Sequence, residues 1–72
     1  MNGRPKKHSL TLRGHRTSVS LEEEFWHAFL TIAKDRKMPI NELAAEIDAA
    51  RGPERGLASA IRVFVLKTLT TP

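Results

Sequence analysis

The chain has 72 residues, no cysteine and a formal net charge of +4, with an isoelectric point near 10.1. That length allows one domain with a thin core, and such domains commonly need disulfides, a metal or a partner subunit. Absent cysteines exclude disulfides and thiolate zinc sites, which leaves oligomerisation as the expected route to stability.

No apolar stretch follows the charged N-terminus to make a signal peptide. No apolar run approaches the ~20 residues of a membrane helix. A soluble cytoplasmic protein is expected. The charge is concentrated at one end: Arg4, Lys6, Lys7, Arg13 and Arg16 all precede the first acid, Glu22. A basic arm of this kind attracts polyanions through counterion release, so Lys6, Lys7 and Arg13 are candidate phosphate contacts. The plainer reading is a solvated basic tail.

Residues 1–7 read as a flexible arm containing Gly3 and Pro5. From His8 to Leu21 apolar residues alternate, as in a strand. Leu10 and Leu12 share one parity, while Thr17, Val19 and Leu21 share the other. The switch across residues 13–16 requires a bulge or tight turn, for which Gly14 is suited. The segment is therefore one bulged strand or two short ones.

Ser20-Leu21-Glu22-Glu23 has the form of a capping box, and Glu22, Glu23 and Glu24 suit the positive end of a helix dipole. A first helix is predicted from about Leu21 to about Arg36, with Phe25, Phe29, Ile32 and Ala33 as its stripe. Trp26 and Leu30 broaden that stripe. Lys37-Met38-Pro39 ends it, and Pro39 starts a second helix over Ile40 to Ala50. Ile40, Leu43, Ala44 and Ile47 are its buried positions, with Gly52 as C-cap and Pro53 as a stop. A third helix spans about Leu57 to Leu69. Ala60, Ile61, Phe64, Val65 and Leu69 lie on one side, and Val63 and Leu66 on the other. A helix apolar nearly all round is buried on several faces, which in so short a chain implies a second subunit.

One strand followed by helices leaves backbone groups unpaired. Two copies can satisfy them by pairing their strands antiparallel about a two-fold axis. Thr17, Val19 and Leu21 would then cover the helices, and Arg16, Ser18 and Ser20 would face outward. A two-stranded ribbon is narrow enough for the DNA major groove, where arginine and serine can bond base edges.

The stretch Arg16-Thr-Ser-Val-Ser-Leu-Glu, the helix through Ala33, and Pro39-Ile-Asn-Glu-Leu resemble a ribbon-helix-helix domain. Residues 14–22, Phe25-Trp26 and residues 57–66 resemble more closely a small bacterial subfamily of predicted DNA-binding proteins with an extra C-terminal helix. The resemblance covers about residues 8 to 69. It implies a strand–helix–helix–helix fold, mainly α with a short β-ribbon, in an intertwined homodimer. It also implies base contacts from Arg16, Ser18 and Ser20 and a phosphate anchored by the backbone near Ile40, Asn41 and Glu42. The expected dimer core is Val19, Leu21, Phe25, Phe29, Ile47, Ile61, Phe64 and Val65. Two departures stand out: Pro39 replaces a common Ser or Thr, and Ser20 must serve as both cap and groove contact. A second alignment is open, in which Ser59-Ala60-Ile61-Arg62 matches the family's second helix.

Other constellations carry less. His8, His15 and His27 lack the spacing of a metal motif. The spacing of Phe25, Trp26 and Phe29 suits a core better than a base-stacking platform. Arg62, within an apolar helix, calls for an acid such as Glu46 or Asp48. No nucleophile–base pair, phosphate loop or cofactor motif appears, so neither an enzyme nor a cofactor is expected. Sequence-specific DNA binding by a homodimer, as in a transcriptional regulator, is the leading expectation. The alternative is a protein-interaction module such as an antitoxin or adaptor, although little sequence follows the third helix.

Overall fold

A computed structural model describes residues 3–71. Its elements are β1 (Lys6–Leu12), β2 (His15–Leu21), α1 (Glu23–Asp35), α2 (Ile40–Ala50) and α3 (Leu57–Thr70). The alternating segment is two strands joined by Arg13-Gly14. They pair antiparallel with Leu12 opposite His15, Leu10 opposite Thr17 and His8 opposite Val19. Both turn residues have positive φ, 52° at Arg13 and 87° at Gly14, as a two-residue hairpin turn requires to match the strand twist. Reversal at this turn explains the parity switch: Leu10, Leu12, Val19 and Leu21 all become buried on one face.

Two expectations are corrected here. The ribbon is formed by two strands of one chain, so pairing the strand preceding α1 does not require a second copy. The strand also begins at Lys6, so Lys6 and Lys7 belong to the ribbon and not to an arm. Met1 and Asn2 of that arm, and Pro72 of the tail, lie outside the described residues.

The first helix starts at Glu23, not Leu21. Its N-cap is Glu22, which makes no side-chain capping bond. The expected capping box does not form because β2 continues through Ser20 and Leu21 to complete the register with Lys7 and Lys6. At the other end, Lys37 has φ 57°; its amide donates to Lys34 O and that of Met38 to Ala33 O at 2.9 Å. These two bonds form a Schellman closure. The second helix spans the expected residues, but its C-cap is Arg51 in extended conformation. Gly52 is not the cap; instead Arg51 braces the loop by donating to Asp48 Oδ1 and to Arg55 O.

The ribbon packs its apolar face on the helices, with α2 against β1 and α3 against β2. Phe29, Leu21, Leu43, Ile61 and Val65 are fully buried. Of the residues expected at a dimer core, Val19, Leu21, Phe29, Ile47, Ile61 and Val65 are instead buried within the chain, and Phe25 and Phe64 are partly buried against them. The third helix is less enclosed than its composition suggested, since Leu66 and Leu69 are 60% and 66% exposed. Among the described residues, no helix is long and apolar enough to cross a membrane.

Candidate nucleic-acid interface

Side chains alternate across a strand, so the face opposite the core carries Lys7, Ser9 and Thr11 from β1 and Arg16, Ser18 and Ser20 from β2. All six are exposed. The register sets Lys7 opposite Ser20, Ser9 opposite Ser18 and Thr11 opposite Arg16. No acid lies on this face, and Lys6 and Arg13 stand near its ends. Arg16, Ser18 and Ser20 thus share the outward face of β2. With the capping box absent, Ser20 is no longer required for two tasks.

Both ribbon edges are engaged by helix side chains. The Thr11 amide donates to Asn41 Oδ1 at 3.0 Å. At the other edge Ser20 O accepts a long bond, 3.4 Å, from the Arg62 guanidinium. The first contact sets the N-terminus of α2 beside β1. There, the Glu42 amide already donates to Pro39 O at 3.0 Å, whereas the amides of Ile40 and Asn41 precede any intrahelical bond. Of the three expected phosphate anchors, Ile40 and Asn41 therefore have backbone donors without a partner among the described residues. Sequence reasoning missed that the Asn41 side chain ties helix to ribbon, and it did not place Ser9 and Thr11 on the outward face.

Three of the acids that follow the ribbon have side-chain partners. Glu22 Oε1 lies 2.9 Å from Arg62, so Glu22, rather than Glu46 or Asp48, is the partner of Arg62. Asp48 is held by Arg51 at 2.7 Å on its own helix. Glu23 binds His8 at 3.2 Å and approaches His27 at 3.6 Å. His8 in turn stacks on Trp26, with ring centroids 4.0 Å apart and planes within 8°. This cluster pins the open end of the ribbon to α1. Trp26 is thereby occupied within the fold and is not a stacking platform.

A bond from its own backbone amide, then the Arg62 guanidinium, hold the Glu22 carboxyl below its ordinary value of 4.5. Lowered acidity in the fold adds stability above the unfolded-state value, and that stability is lost as pH falls through the folded value. Glu22→Gln should therefore destabilise the protein at neutral pH, with the gap to wild type closing well below 4.5. Denaturant titrations at both pH values test this; a gap of constant size would show that the ionised carboxylate contributes nothing.

A family model described as ribbon-helix-helix domain matches residues 5–69. The chain belongs to the ribbon-helix-helix family, whose members are generally DNA-binding transcription regulators. No curated protein and no solved structure matches the chain.

Proposed function

We propose that the protein binds double-stranded DNA sequence-specifically as a homodimer and acts as a cytoplasmic transcription regulator without enzymatic activity. One observation carries this reading: an exposed two-stranded ribbon whose outer face holds only lysine, arginine, serine and threonine. In the major groove, Arg16 would bond guanine through its guanidinium fork, and Ser18 and Ser20 would bond neighbouring base edges. Lys6, Lys7, Arg13 and the free amides at Ile40 and Asn41 would hold flanking phosphates and set the register. That geometry favours α2 over α3 as the family's second helix, since α2 begins at the ribbon edge.

Dimers are the rule in this family. The exposed Leu66 and Leu69 on α3 are apolar surface that a second copy would cover. Selection of bound duplexes from a random library, with the mass of the complex measured in parallel, tests the reading. An inverted repeat bound by two chains is expected. Replacing Lys6 and Lys7 by alanine should weaken binding to all sequences and reduce the salt slope by about one to two.

The open groove between α2 and α3, lined by Ile47, Ala50, Ala60, Val63 and Phe64, favours a second reading as a protein-interaction module, antitoxin or adaptor. Absence of any enriched sequence would move the assignment there.

A further inference from the structure

We propose that the groove between α2 and α3 is a docking site for an acidic amphipathic helix of a partner protein. The proposal deepens the second reading above by giving the partner's chemistry, and it does not require the ribbon to contact DNA.

The groove follows from side-chain size. Ala50 on α2 and Ala60 on α3 each carry a single methyl group. Between them the helices leave a furrow of about 220 Å³, lined further by Ile47, Val63 and Phe64. Phe64 is fixed in place, edge-on to Phe29 and covered by the Arg36 guanidinium 5.0 Å from its ring centroid. Past Phe64 and Lys67 the depression continues by Arg36 and Thr68 to Thr71. From Ala60 to Thr71 it runs about 16 Å along α3, or about three helical turns. A strip of that length suits the apolar face of a helix, which anchors through residues one turn apart.

Charge specifies the partner. Arg51 and Arg55 line one stretch, Arg36 lines the other and Lys67 lines both, while no acid lines either. All four cations are exposed. Arg51 is turned to Asp48 and to Arg55 O. Arg55, Lys67 and Arg36 form no ion pair among the described residues. An apolar floor with a cationic rim complements a helix whose apolar stripe is flanked by acids. A phosphate backbone would leave the apolar floor unused. A second copy of a chain with net charge +4 would bring like charge to the rim.

The strip is separate from the other surfaces. No strand residue lines it, and at about 100° per residue Leu69 lies on the side of α3 opposite Ala60. A helix seated here leaves the outward ribbon face and Leu69 uncovered.

Fluorescence anisotropy with three labelled synthetic peptides of about 14 residues tests the proposal. The first is a helix with leucines on one face flanked by glutamates. The second has the same residues scrambled, and the third has lysine in place of glutamate. Micromolar binding is expected for the first alone, without displacement by a random duplex. Arg55→Glu combined with Lys67→Glu should weaken it about tenfold or more. Ala50→Glu, which fills the furrow from an exposed position, should abolish it, and thermal melting checks that both variants fold. Equal binding of the scrambled or lysine peptide overturns the acidic partner and leaves the interaction reading intact; binding of none removes the groove from both. Binding that neither variant alters lies elsewhere on the chain and overturns the proposal. So does displacement by the duplex, which assigns the strip to DNA, or a smaller assembly mass for Ala50→Glu, which assigns it to a second copy.

Discussion

Replacing Phe29 by alanine should cost about 3–5 kcal/mol of folding stability. Phe29 is completely buried on the face of α1 that meets both the ribbon side and α3. Its ring lies 6.1 Å from Trp26 and stands edge-on to Phe64 at 6.3 Å. Truncation would open a cavity beneath the Trp26–His8 stack and remove the edge contact to α3 together. For a chain of this length the total stability is about 4–11 kcal/mol, so the loss is a large fraction of it. Denaturant titration should show a strongly lowered midpoint with little change in slope. A cost under about 1 kcal/mol would mean that the core can collapse around the missing ring. Thr31→Ala, at an exposed position of the same helix, is the natural comparison, since surface changes usually stay within about 0.5 kcal/mol.

Arg16→Ala should weaken binding to the selected DNA site by about 5- to 150-fold, the value of one bidentate base contact of about 1–3 kcal/mol. Binding to unrelated duplexes should fall far less, because losing a single charge mainly lowers the salt-dependent background. Arg16 is exposed on the outer face of β2, so folding should be little affected. Arg16→Lys sharpens the comparison. It restores the charge but not the planar fork, so affinity for unrelated DNA should recover while site preference does not. Competition titration against unrelated DNA reads both quantities; an equal loss on every sequence would assign Arg16 to a phosphate.

Much of this architecture can be read locally. The second helix follows from Pro39, the Ile40–Ile47 stripe and the Pro53 stop, and its residues need no revision. The third helix extends only one residue past its expected end. Ser20 misled because Ser-x-x-Glu is a statement about four residues, whereas its strand character comes from Lys7 across the ribbon. Gly52 misled in the same way: a glycine after a helix is a common cap, but here the side chain of Arg51 already organises the exit. The hairpin itself carried little local signal. Arg-Gly is not among the dipeptides that strongly mark a two-residue turn, and Arg13 adopts positive φ without the freedom that Gly14 has.

The sequence by itself determined the alternating outer face, the three helical stripes, the basic N-terminal half and hence the family, because periods of two and 3.6 residues assign each side chain to a face without reference to its neighbours. Only the tertiary structure decided what those faces meet. It joined β1 to β2 within one chain, assigned Glu22 to Arg62 and Asn41 to the Thr11 amide, and packed the apolar faces of ribbon and helices against one another. These are long-range pairings set by hairpin register and helix docking, and no local period encodes them.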